Sequence, residues 1–156
     1  MRAVCFIALL AVCSMLTAQS YVKVSVSQLE VLLKQKNDTT YVINFFASWC
    51  APCMQELPEF QAFAQEHAQE KVRLIYVSVD FEDDAEEALI PLLRKFDITQ
   101  PVWLLSESGN RWITRIDKQW NGSIPATLMF NNQQKKRVFT AQRVTRAVLN
   151  QYLQQP

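Results

Sequence analysis

The sequence predicts one α/β domain, a three-layer sandwich whose mixed central sheet carries helices on both faces. Three observations point there. Two β-branched and aromatic runs, Thr40 to Ala47 and Val72 to Asp80, are apolar on both sides of their alternation, as central strands covered on both faces must be. Segments with helical spacing of apolar residues follow each run, so the order reads strand, helix, strand, helix. Near the end, Ala126 to Phe130 and Arg137 to Thr140 flank the polar stretch "NNQQKK", which reads as a hairpin. The sheet is therefore expected to be parallel first and antiparallel last. A length of 156 residues suits one core of this size.

The first 20 residues, "MRAVCFIALLAVCSMLTAQS", place one arginine before an apolar run and end in small and polar residues. That is the layout of a secretory signal peptide, with cleavage after Ser20 and a competing site after Ala18. Val12 before Cys13 is too large for a good lipoprotein signal, so a lipid anchor is the lesser reading. Residues 21–156 then form the domain. "YVKVSVSQLEVLLKQKNDTT" gives a short alternating stretch and a helix, with Ser27 as N-cap and Glu30 closing a capping box. From Ala51 to about Gln69, Leu57, Phe60, Phe63 and Ala64 recur at helical spacing, and Pro58 should kink that helix. "FEDDAEEALIPLLRKFDI" opens acidic and closes on Arg94 and Lys95, the charge order a helix dipole favours. Pro91 inside it predicts a bend or a second helical start. Val102 to Leu105 reads as a short strand, "ESGNRWITRIDKQW" as a connection with room for a short helix, and Val144 to Leu153 as a closing amphipathic helix. With only Gly109 and Gly122 available, asparagines are expected to take the left-handed turn positions.

Composition narrows function by exclusion. Apolar residues make up 49% and charged residues 20%, as in ordinary globular chains. Loss of Arg2 with the leader takes the formal charge from +1 to neutrality, so nothing suggests nucleic acid or anionic lipid as a partner. Membrane contact follows only if the leader is retained. The same cut removes Cys5 and Cys13 and leaves Cys50 and Cys53, in a compartment where disulfides persist.

Those two cysteines stand at the junction of a strand and a helix, in "NFFASWCAPCMQELPEF". At a helix N-terminus, unpaired N–H groups and the macrodipole favour a thiolate, which makes Cys50 the candidate nucleophile. Cys53 lies one turn further on, placed to resolve a mixed disulfide. Ala51 and Pro52 fit the first turn, where a missing N–H is harmless. A structural disulfide this short in span would add little chain-entropy stabilisation. A zinc site lacks ligands, since His67 is the only histidine and reads as a solvated helix residue. The residues thus favour a redox pair over an inert disulfide or a metal site, and call for no cofactor. The acidic run Asp80 to Glu87 reads as solvated loop and helix start, and Lys135, Lys136 and Arg137 as a soluble hairpin tip. Trp103, Trp112 and Trp120 read as core or rim packing before a substrate groove.

"WCAPC", preceded by "NFFAS" and followed by "MQELP", resembles the active site of the thioredoxin superfamily. Its W-C-x-P-C-x-x-E-x-P form is similar to the TlpA/ResA-type branch of exported thiol-disulfide oxidoreductases. "WNGSIPATLMF" resembles the segment that carries the superfamily's cis-proline, so the likeness covers about Val26 to Leu153. The resemblance implies a thioredoxin-like fold, an attacking Cys50, a resolving Cys53 and a redox-active Cys50–Cys53 disulfide. It implies that Trp49 stands beside the site, that Pro58 bends the helix, and that Pro125 follows a cis bond presenting the Ile124 backbone to an extended substrate. It also implies that Glu56 tunes the thiols and moves protons; the residue-level alternative is an ordinary exposed carboxylate. Thioredoxin itself usually has a buried aspartate where Asn44 stands, and Asn44 cannot titrate. The implied function is reduction of disulfides in cysteine-containing protein clients outside the cytoplasm, in the periplasm or an equivalent space, with recharging by a membrane or exported thiol reductant. Oxidase or isomerase activity, and a non-catalytic binding module, are the competing readings.

Overall fold

A computed structural model describes residues 20–107 and 109–155 of the chain. The leader expected over residues 1–20 lies, apart from Ser20, outside that range. Among the described residues no helix is long and apolar enough to cross a membrane.

In chain order the elements are β1 (Val22–Val24), α1 (Val26–Leu33), β2 (Thr40–Phe46), α2 (Ala51–Glu66), β3 (Val72–Ser78), α3 (Ala85–Lys95), β4 (Val102–Leu105), α4 (Ile113–Ile116), β5 (Ala126–Asn131), β6 (Lys136–Thr140) and α5 (Arg146–Gln154). The strands form one sheet in the order β1-β4-β3-β2-β5-β6. β1, β4, β3 and β2 run parallel to their neighbours, while β5 and β6 complete the sheet antiparallel. The path from β2 to β3 to β4 steps one way across the sheet, and the path from β1 to β2 returns the other way. Right-handed crossovers therefore put α2 and α3 on one face and α1 on the opposite face.

Side chains on β2 alternate accordingly. Val42 and Phe46 enter the core under α2, α3 and α5 with Leu57, Phe60, Phe63, Leu89, Leu93 and Leu149. Tyr41, Ile43 and Phe45 enter the core under α1 and α4 with Val26, Leu29 and Ile116. The three layers expected from the strand pattern are present, with β2 at the centre and covered on both faces.

Several local expectations need correction. The N-cap of α1 is Ser25, not Ser27: Ser25 Oγ accepts from the Gln28 N–H at 3.3 Å, and Gln28 Oε1 accepts from the Ser25 N–H at 2.8 Å. The helix starts earlier because Val26 and Leu29 must both reach the core, which leaves Ser27 exposed. Of the two readings for Pro91, a second helical start is excluded, because Pro91 sits inside one continuous helix. Positive φ falls on Asp97 (48°) and Lys135 (57°), not on asparagine. Asn131 and Asn132 serve the hairpin through their side chains instead. Asn131 accepts from the Gln134 N–H at 3.0 Å, and Asn132 donates to the Leu33 and Gln35 carbonyls, each at 2.8 Å. His67 is no solvated residue: its ring packs on Phe63 and Nε2 meets Asn150 Oδ1 at 2.9 Å, because α5 covers that end of α2.

The cap assignment is directly checkable. Ser25→Ala should lower the unfolding free energy by about 1 kcal/mol in a denaturant melt, whereas Ser27→Ala should leave it within about 0.5 kcal/mol of the parent.

Candidate active site

The site is assembled at the edge where β2 and β3 end. Cys50 is the N-cap residue of α2, and its sulfur accepts from the Cys53 N–H at 3.3 Å. A first-turn N–H that lacks a helical acceptor is therefore aimed at this sulfur. Pro52 occupies the first turn, as its missing N–H permits. Cys50 and Cys53 are joined in a disulfide, with Cα atoms 5.3 Å apart. Their burial differs in the direction chemistry requires: Cys50 retains 5% of its surface, Cys53 none. An incoming thiolate or disulfide reaches Cys50 first.

Strand register brings the second half of the site alongside. β5 pairs antiparallel with β2, with Ala126 opposite Phe45 and Thr127 opposite Asn44. Ile124 and Pro125 thus arrive at the end of β2 from which the chain turns to Cys50. The Ile124–Pro125 bond is cis, as the resemblance implied. Ile124 is half-buried against the cluster that contains Cys50 and Cys53. Trp49 is 63% exposed beside them.

The loop before Cys50 is tied down by a residue the sequence reading placed in solvent. Asp80 is buried, and its carboxylate accepts from the Ser48 N–H at 3.0 Å and from the Ser48 and Ser78 hydroxyls. It stands immediately past β3, where Val79 N–H bonds the Phe46 carbonyl, so it faces the loop and not water. The rest of the acidic run is exposed up to the start of α3.

Glu56 is buried as well, which sets aside the alternative of an ordinary exposed carboxylate. It has no exposed surface, one turn beyond Cys53 on the inner side of α2. Oε1 accepts from Asn44 Nδ2 at 2.7 Å and Oε2 from the Val144 N–H at 3.0 Å. Burial pushes its pKa up to about 7, against the Val144 and Asn44 hydrogen bonds and the Arg143 charge, which pull it down. An exposed carboxylate would titrate near 4.5. Sequence reasoning noted that Asn44 cannot titrate but missed that it binds Glu56. The available signal was one polar residue in the middle of an otherwise apolar strand.

The tryptophans pack as read. Trp120 is buried among Phe45, Trp112 and Phe139, with Nε1 donating to the Ser123 carbonyl at 2.8 Å. Trp112 and Trp120 also line a cavity of about 660 Å³ that reaches Ile124. Among the described residues, no three His, Cys, Asp or Glu side chains converge as metal ligands.

A profile of the AhpC/TSA family matches residues 15–137, well over half of the chain. The chain belongs to the AhpC/TSA family. Within the thioredoxin superfamily it is related to the ResA-type proteins. It is 28% identical over 78 residues to sporulation thiol-disulfide oxidoreductase A of Bacillus subtilis, across 50% of this chain and 47% of that one. It is 31% identical over 77 residues to thiol-disulfide oxidoreductase ResA of Oceanobacillus iheyensis, across 49% of this chain and 38% of that one. The matched segments thus span less than half the length of these curated relatives. A thioredoxin-related protein from Neisseria meningitidis serogroup B shares the fold, with a TM-score of 0.64 and 19% identity over 78% of this chain and 87% of its own. The Cys50–Cys53 pair is accordingly a redoxin-type C-x-x-C pair in this AhpC/TSA chain.

The Glu56 environment predicts a sign for stability against pH. A folded-state pKa near 7 against about 4.5 unfolded means the native state holds a proton the unfolded chain has released. Stability from this group is fully present below about pH 4.5 and lost as pH rises through about 7, amounting to about 3 kcal/mol. Denaturant melts from pH 4 to 9 should show this decline in the parent and a flatter profile in Glu56→Gln.

Proposed function

We propose that this chain is an extracytoplasmic thiol-disulfide oxidoreductase that reduces disulfides of cysteine-containing protein clients. One observation carries the reading: the disulfide joins a helix-capping, partly accessible Cys50 to a wholly buried Cys53. In the reduced enzyme the Cys50 thiolate attacks one sulfur of a client disulfide, forming a mixed disulfide and releasing one client thiolate. Cys53 gives its proton to Glu56 and attacks the Cys50 sulfur, which releases the second client thiolate and closes the Cys50–Cys53 bond. Two electrons pass to the client; Glu56 releases the Cys53 proton, and with the proton that Cys50 gave up to solvent on ionising it balances the protonation of the two client thiolates. Trp49 flanks the attacked sulfur, and the Ile124 backbone ahead of Pro125 pairs with the client segment around its cysteine.

Residues 1–20 act in this reading as a signal peptide that delivers residues 21–156 beyond the cytoplasm, in the periplasm or an equivalent space. An exported or membrane thiol reductant then regenerates the dithiol. Similarity to the two named oxidoreductases supports the chemistry, and the leader-like N-terminus supports the compartment. Because those alignments cover less than half of each relative, clients and electron donor are assigned here by chemical class only.

Reduction of insulin disulfides with dithiothreitol as donor tests the proposal. The parent should turn over, Cys50→Ser should fall to the uncatalysed rate, and Cys53→Ser should trap a mixed disulfide visible on a non-reducing gel. Parental activity in Cys50→Ser would refute it. A reduction potential near that of thioredoxin, about −270 mV, fits a reductase, whereas one near −120 mV would make the protein an oxidase.

A further inference from the structure

Trp112 and Trp120, packed edge to face with ring centroids 5.4 Å apart, contribute to the cavity of about 660 Å³ on the α4 side of the sheet, and Leu105 and Ile113 add apolar surface to it. The cavity is joined to the disulfide in two ways. Ile124, part of its lining, also packs against the cluster that contains Cys50 and Cys53. Asp80, likewise part of the lining, accepts from the Ser48 N–H and hydroxyl two residues before Cys50. Gly122 brings the Ile124 segment close to α4: at a φ of 91°, a Cβ there would stand 2.7 Å from Ile113 Cδ1.

The charge of this lining is one-sided. Among the described residues that form it, Asp80, Glu82 and Glu107 are acidic and none is basic. Glu82 is paired with Lys23 in an exposed ion pair and accepts from the Ser106 hydroxyl. Asp80 and Glu107 form no ion pair among the described residues. Asp80 is also buried, and its oxygens are met by the uncharged donors of Ser48 and Ser78 alone. A negatively charged occupant would be repelled here, and a purely aliphatic one would cover the carboxylates without giving them a partner. The three carboxylates do not converge as metal ligands, which favours a positive charge carried on a long apolar stem over a bare ion.

We propose that this cavity is a client subsite for a lysine or arginine side chain on the segment that lies along the Ile124 backbone. The methylenes of that side chain rest on Leu105, Trp112 and Ile113, and its cationic head is drawn to Asp80, Glu82 and Glu107. A volume of about 660 Å³ admits such a side chain together with its neighbours in the client. The subsite rests on the reductase reading and narrows it: the dithiol selects disulfides, and the cavity selects among them by the charge beside the cysteine.

The test compares synthetic peptides that each hold one disulfide and differ only in carrying Lys, Gln or Glu on both sides of one cysteine. The full chain reduces them with dithiothreitol as donor, alongside insulin. In the parent, kcat/KM should fall in the order Lys, Gln, Glu, by about tenfold from first to last at low salt, and the gap should narrow as salt is added. Glu107→Lys, a change at an exposed position of the lining, should cut that ratio to about twofold or less. Glu86→Gln, at an exposed acid of α3 that is not part of the lining, should leave the ratio and the insulin rate at the parental level. Equal parental kcat/KM for the Lys and Glu peptides, with insulin still reduced, overturns the subsite and leaves the reductase reading standing. A ratio that survives Glu107→Lys, or that falls as far in Glu86→Gln, overturns it too, because the preference would then belong to the acidic surface at large. A chain that reduces neither insulin nor any peptide defeats the reductase reading, and the client subsite with it.

Discussion

The Cys53 N–H in the first turn of α2 has no helical carbonyl to bond, and it points at the sulfur of Cys50. That contact sets what the rest of the molecule must do. A helix tip stabilises a thiolate only while it is held in place, and α2 is held by the central strand on one side and by α5 on the other. β2 delivers the chain to Cys50 from the middle of the sheet, where its neighbours β3 and β5 leave no freedom to slide. Asp80 then clamps the four-residue link between strand and helix through Ser48. The sulfur is thus fixed by covalent, apolar and charge-assisted constraints together.

The same architecture explains why the second sulfur and the carboxylate lie inside. Residues 50, 53 and 56 fall one turn apart on one side of α2, so a helix that presents Cys50 at its tip carries Cys53 and Glu56 progressively under the sheet. In the proposed reaction, that burial leaves Cys53 within reach only of the disulfide attached to Cys50. For Glu56 burial has a different consequence, because a carboxylate without water depends on fixed donors. It finds two, from β2 and from the segment that leads into α5, enough to retain a charge but not enough to restore an ordinary acidity. A group that binds or releases a proton near neutrality beneath a dithiol is well matched to a reaction in which one thiol must be deprotonated on demand.

Much of this was legible in the residues. The two-sided apolar runs specified covered strands, and the flanking patterns alone put both cysteines at a strand-helix junction. Pro125 was legible only through resemblance, since a trans turn has the same sequence. The failures share a physical cause, which is that solvent exposure of a polar residue depends on what packs over it from far along the chain. Asp80 and His67 each lie in locally polar sequence and read as solvated, and each is covered by an element remote in sequence: the loop after β2 and α5. Ser27 with Glu30 was read as the cap, while the equally good local pattern of Ser25 with Gln28 went unread; the core contacts of Val26 and Leu29 select it.

Nucleophilicity at the capped sulfur is the claim on which the account stands, and alkylation of the fully reduced protein across pH measures it most directly. Iodoacetamide should modify Cys50 alone, with a rate midpoint well below the value of about 8.5 for an unperturbed thiol, while Cys53 stays unmodified. A midpoint at or above that value, or sulfurs that both resist the reagent in alkaline solution, would contradict it.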